Sequence, residues 1–172
     1  MALELTITQT IYYFFNNLGL TPAWEIITST YIILCIGFLL FAFLQRRWLL
    51  IAIYGACNAI GFGLKELITL FYFRARPYSV LNLDIQANLT ANSFYSTHTF
   101  VAFITAFFIF FLTKNKWLRI SAIILAILIA FSRLALAQHY ISDILTGFLV
   151  ALILYLISKK IYDKYYTEKI KE

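Results

Sequence analysis

The chain holds two histidines, and each stands beside hydroxyls or arginines at the end of an apolar run. His98 closes the triplet Ser96-Thr97-His98. His139 follows Ser132-Arg133 after five residues, of which Gln138 is the one polar member, and precedes Asp143 by four. A third cluster, Arg74-Ala75-Arg76-Pro77, ends another apolar run. Four residues apart, His139 and Asp143 share a face if their helix starts by residue 139 or 140. A carboxylate on one imidazole nitrogen leaves the other basic, which suits a nucleophile or general base. His98 can supply a second imidazole as general acid. Arg74, Arg76 and Arg133 offer planar donors that match phosphate oxygens in pairs. Ser96, Thr97 and Ser132 add hydroxyls, and a helix start at residues 96–98 adds backbone amides for an anion.

Singly, each residue has a plainer role: His98 as a helix cap, His139 and Asp143 as a structural pair, Arg74 and Arg76 as interface anchors. Their conjunction argues for chemistry. Arginine is costly at membrane depth, roughly 2.5–3.5 kcal/mol at a helix centre. Three clusters ending three apolar segments therefore point to one shared anionic substrate. A zinc site from His98, His139 and Asp143 would lack the short-spaced His/Cys set such sites use, so neither metal nor cofactor is expected.

The elements that must position these groups are apolar helices. Of 172 residues, 62% are hydrophobic, and 17 Phe with 12 Tyr outnumber 14 basic and 8 acidic residues. Soluble domains are about 45–50% apolar, so the composition specifies an all-α integral membrane bundle. Residues 1–21 mix Glu4, Gln9, Asn16 and Asn17 with Ile, Tyr and Phe, which reads as an amphipathic helix lying in the interface. They lack the basic start and unbroken apolar stretch of a cleavable signal. About five spans follow, near 22–44, 48–73, 95–113, 117–137 and 143–160, with a polar loop over 78–94. The whole reads as one membrane domain, with a transmembrane core over 22–160 and a charged cytoplasmic tail over 161–172. Cys35 and Cys57 lie inside apolar runs and read as small hydrophobes. The Asn88-Leu89-Thr90 sequon carries no weight.

Five spans put the loops on alternating sides. One side collects Arg46, Arg47, Lys114, Lys116, Arg119 and the five tail lysines, ten of the fourteen basic residues. The rest are Lys65, inside the second span, and Arg74, Arg76 and Arg133. The positive-inside rule makes the first side cytoplasmic, and all three polar clusters then share the opposite face. The net charge of +6 is a topology signal and gives no reason to invoke nucleic acid.

In order and spacing these residues resemble the type-2 phosphatidate phosphatase superfamily, which includes the vanadium haloperoxidases and whose motifs read K-x6-R-P, P-S-G-H and S-R-x5-H-x3-D. The third is matched in full from Ser132 and Arg133 to His139 and Asp143. The second appears as Tyr95-Ser96-Thr97-His98. The first keeps Arg76-Pro77 but has Thr69 where the lysine belongs. The resemblance covers roughly residues 65–147. It implies a metal-independent phosphatase in which His139 attacks phosphorus, Asp143 orients it, His98 protonates the leaving oxygen, and Arg76, Arg133 and Ser96 hold the other oxygens. Helical side chains lean toward the N-terminus, so Lys65 is expected to miss the site and pair with Glu66 or Asn58, leaving Arg74 to replace the lost cation. The approach Leu67-Ile68-Thr69-Leu70 to Tyr72-Phe73 is similar to that of small bacterial undecaprenyl-diphosphate phosphatases of the bacitracin-resistance type. The implied substrate is a lipid phosphate, most specifically undecaprenyl diphosphate, met in a bacterial inner membrane on the periplasmic or exterior face. Lipid A or phosphatidylglycerophosphate is the alternative substrate. From other classes, a catalytically inactive family member or a small lipid transporter competes, although no span is broken by proline or paired with an inverted copy.

Overall fold

The computed structural model describes residues 2–83 and 92–169, with side chains as far as Tyr165. Residues 84–91 of the expected polar loop lie outside the described residues, the sequon, Asp84 and Gln86 with them, as does Lys171. Seven helices follow in order: α1 Ala2–Asn17, α2 Thr21–Leu44, α3 Trp48–Phe71, α4 Pro77–Val80, α5 Thr97–Leu112, α6 Lys116–Ala135 and α7 Ile141–Lys169. Four of them, α2, α3, α6 and α7, are long and apolar enough to cross a membrane, and α5 is a shorter apolar helix. The protein is thus an all-helical, multi-pass membrane bundle. The tail expected from residue 161 continues α7 without a break, and Lys159 meets Asp163 one turn on at 2.6 Å.

α5 is the axis of the bundle, packed against α2, α3, α6 and α7. Phe100, Ala102, Ile104, Ala106 and Phe108 are fully buried, so α5 is apolar all round, as a helix enclosed by others must be. Two glycines permit close approach to it. A Cβ on Gly61 would fall 2.1 Å from the Phe100 ring, and one on Gly147 would fall 2.6 Å from the Ser96 carbonyl oxygen. α1 lies against α6 and α4, with Phe15 stacked edge-on to Trp24 and Phe131.

The helices end in a recurrent way. Leu20 N donates to Phe15 O and Gly19 N to Asn16 O, and the same pair of bonds recurs at Arg47/Arg46, Leu83/Asn82 and Gln138/Ala137. These are Schellman closures, which need a left-handed residue; Gly19, Arg46, Asn82 and Ala137 have φ of 69°, 55°, 50° and 50°. At one end of the bundle Gln45 reaches Leu112 O and Arg47 reaches Tyr162. The polar clusters gather at the other end, as counting spans predicts.

Candidate active site

The site is assembled from three short connections. The first follows α3. Arg76 has ψ 151°, the extended backbone that a following proline enforces, and Pro77 then opens α4. Tyr78 N donates to Ala137 O at 2.9 Å, which ties α4 to the α6–α7 turn. Arg76 donates to Gln138 Oε1 at 2.7 Å.

The second connection, residues 92–96, descends beside α3. Asn92 accepts from the amides of Arg74 and Phe94, both at 3.1 Å, and donates to Tyr72 O at 2.6 Å and Thr69 Oγ1 at 3.3 Å. Lys65 Nζ donates to three carbonyls of this segment: Asn92 O at 3.3 Å, Tyr95 O at 2.9 Å and Phe94 O. Tyr95 Oη donates to Gly61 O at 2.5 Å. The expected partners of Lys65 are therefore corrected: it holds neither Glu66 nor Asn58, whose amide donates to Tyr54 O. Because the segment runs down the helix, acceptors lie level with Lys65, where the sequence reading placed them all near the helix end. Thr69, standing where the family motif has lysine, meets Asn92. The segment ends at Ser96, which caps α5 by accepting from Thr99 N and Thr99 Oγ1.

The third connection is the α6–α7 turn. The carbonyl of Arg133 accepts from the amides of both Gln138 and His139, at 2.9 and 3.2 Å, so the left-handed turn at Ala137 fixes His139 relative to Arg133. α7 begins at Ile141, two residues beyond His139; the expectation of one shared helical face is corrected to a turn residue facing the first turn of a helix. The imidazole Nδ1 stands 3.7 Å from Asp143 Oδ2, beyond hydrogen-bond distance. Asp143 is fully buried and accepts from Arg74 at 2.7 Å, Ser93 Oγ at 2.5 Å and Tyr140 N at 3.0 Å. His139 is 2% exposed. Burial pushes its imidazole down to about 4, helped by the charges of Arg133 and Arg76 and opposed by Asp143. It is a free base at neutral pH.

Arg76 and Arg133 lie close enough to act electrostatically on one another, on His139 and on His98, so the four groups form one cluster. Arg133 is 6% exposed and donates once, to Thr28 Oγ1 at 2.7 Å. Among the described residues the buried Nε atoms of Arg76 and Arg133 and Nδ1 of His139 have no hydrogen-bond partner. Buried donors are satisfied almost without exception, and two neighbouring guanidiniums repel. The arrangement is suited to a multivalent anion.

The remaining expected groups are placed as follows. His98 is half-buried on α5 with its ring edge-on to Tyr31, centroids 4.7 Å apart. Thr97 is the first residue of α5. Ser132 donates to Ile129 O within its own helix at 2.6 Å. Arg74, expected at the phosphate, instead directs its donors to Asp143, Glu4 and Ser142, each at 2.7 Å, and lies over the Tyr140 ring. Sequence reasoning missed Glu4, Thr28, Asn92 and Ser93 altogether. No spacing links them to the motifs, and only the folded chain brings them there.

A family model described as the PAP2 superfamily matches residues 46–166. The chain belongs to the PAP2 superfamily. The match takes in every residue of the site except Glu4 and Thr28. The PAP2 fold extends further: the crystal structure described as the first transmembrane PAP2 type phosphatidylglycerolphosphate phosphatase, from Bacillus subtilis, is similar over 95% of this chain and 86% of that one, with TM-score 0.64 and 22% identity. At that identity the likeness concerns the fold. No curated protein matches in sequence.

Proposed function

We propose that this PAP2 protein hydrolyses a lipid phosphate or diphosphate through a phosphohistidine, with undecaprenyl diphosphate as preferred substrate. The observation that carries the reading is the pair of buried guanidiniums, Arg76 and Arg133, whose Nε donors have no hydrogen-bond partner among the described residues, beside a neutral buried imidazole. Phosphoryl transfer is mostly positioning and charge neutralisation, and this site supplies both. His139 attacks phosphorus, forming a P–N bond as the bond to the leaving oxygen breaks. His98 delivers a proton to that oxygen. Water then attacks the phosphohistidine, His98 takes its proton, and phosphate leaves. Arg76 and Arg133 hold the equatorial oxygens at the start of α5, where Ser96 and Thr97 stand. Asp143, through its field, favours the positive charge that develops on His139. Arg74 acts from behind Asp143. Residues 22–160 form the catalytic core, and the site faces the periplasm or exterior of a bacterial plasma membrane.

Purified protein is to be given undecaprenyl diphosphate, phosphatidylglycerophosphate, phosphatidate and lipid A, with and without EDTA. Phosphate release that survives EDTA, is fastest on the polyprenyl diphosphate, is inhibited by vanadate, and is abolished in His139→Ala supports the reading. A His139→Ala protein turning over near the wild-type rate refutes it, and loss in EDTA with recovery on added metal moves the chemistry to a metal.

A further inference from the structure

The charge of Asp143 does not end at Arg74. Arg74 forks between two carboxylates: one terminal nitrogen on Asp143 Oδ1 and the other on Glu4 Oε2, both at 2.7 Å. The second oxygen of Glu4 accepts from Ser142 N at 3.0 Å, in the first turn of α7, one residue before Asp143. Glu4 thus grips the catalytic carboxylate twice, through Arg74 and through the backbone beside it. It does so from α1, which lies outside the part of the chain that matches the PAP2 family. Burial would raise its carboxyl, but bonds from Ser142 and Arg74 outweigh that and hold it below its ordinary value, so it is a carboxylate at neutral pH. A cavity of about 570 Å³, lined by Glu4, Arg74, Ser142, Ile68, Tyr72 and Phe94, opens on this side. Glu4 is reached from there.

We infer that Glu4 is a positioning residue which couples the interfacial helix α1 to catalysis by fixing Arg74, and through it Asp143, behind His139. Without Glu4, the terminal nitrogen that bonds Asp143 and Ser142 keeps its acceptors but the other has none, so the guanidinium is free to turn and its single bond to Asp143 loses its second anchor. The effect belongs to the chemical step, because Glu4 bonds Arg74 and Ser142 and, among the described residues, none of His98, His139, Arg76 and Arg133.

The inference rests on the phosphatase reading, and one experiment separates the two. Steady-state kinetics on the best lipid phosphate are measured for wild type, Glu4→Gln, Arg74→Met and the double variant, at matched folded concentration. Glu4→Gln should lower kcat roughly ten- to a hundredfold, the range for groups that orient a catalytic ligand from outside it, with KM changed less than about twofold. Glu4→Asp, which keeps the charge on a shorter arm, should recover part of kcat. In the Arg74→Met background, Glu4→Gln should add nothing, because glutamine keeps an oxygen for the Ser142 amide and the lost charge acts through Arg74. Full kcat in Glu4→Gln, a change confined to KM, or equal losses in both backgrounds overturns the inference while an active wild type keeps the phosphatase reading. A wild type inactive on every lipid phosphate overturns the phosphatase reading itself, and this inference with it.

Discussion

Removing the Lys65 ammonium should disable the site although its bonds go to backbone carbonyls. Lys65→Met keeps the length and apolar stem and deletes three bonds to the carbonyls of Asn92, Phe94 and Tyr95. Hydrogen bonds to a charged donor contribute roughly 1.5–3 kcal/mol each, so three hold the segment by about 4.5–9 kcal/mol. Against this stands the cost of an amine at membrane depth, roughly 2.5–3.5 kcal/mol on insertion scales, which methionine avoids. The net loss is about 1–6.5 kcal/mol. Even the lower figure shifts a docked–undocked equilibrium by roughly fivefold. The released segment carries Ser93, which donates to Asp143, and Ser96, which caps the helix of His98. We therefore expect kcat to fall at least about fivefold in purified Lys65→Met at matched folded concentration, with α3 intact by circular dichroism. Tyr95→Phe, which loses the single bond to Gly61 O, should lose less. A well-folded Lys65→Met protein with kcat within about twofold of wild type would refute the docking argument.

Three further outcomes are expected. Gly147→Ala places a Cβ 2.6 Å from the Ser96 carbonyl, a backbone atom that cannot turn aside, so thermal stability and phosphate release should fall together, by about 1–3 kcal/mol for the overpacking. With His139 pushed down to about 4, the acid limb of kcat/KM should lie near pH 4 and not near the ordinary histidine value; since the unfolded imidazole takes up its proton first, stability should also decline as pH falls through the interval from about 6.5 to about 4. For topology, a cysteine at the exposed Asn82 should react with an impermeant thiol reagent in intact cells, after permeabilising any outer membrane, and one at the exposed Asn115 should not; the reverse pattern overturns the orientation.

Sequence alone made the spans legible because each apolar run stops at arginine, lysine or proline, and those stops coincide with the ends of α2, α3, α5 and α6 within a few residues. It also made the grouping of His98, His139, Arg76 and Arg133 legible, since counting spans places them at one end. The contacts behind them were hidden. Glu4 is 139 positions from Asp143, and nothing local in an interfacial helix marks one carboxylate as a partner for Arg74. The role of Lys65 was misjudged because side-chain lean says where a residue points along its own helix, not which backbone will come down beside it. The turn that sets His139 was equally silent: its left-handed position is taken by Ala137, where glycine would have announced it.

The shortness of α5 has a consequence for the lipid around the protein. Its 16 residues rise about 24 Å, less than an apolar layer of about 30 Å, whereas the 24 residues of α2 rise about 36 Å. At one end α5 is held level with α2, where Gln45 meets Leu112 O, so the whole shortfall falls at the Ser96 end. For an apolar layer of that thickness level with this end, the Thr97 start of α5 falls some ~6 Å short of the opposite boundary, a mismatch that lipid meets with a dimple over the site. Host bilayers of longer acyl chains deepen that dimple and thinner ones make it shallower, so hydrophobic thickness becomes a dial on how readily a charged head group descends to the floor.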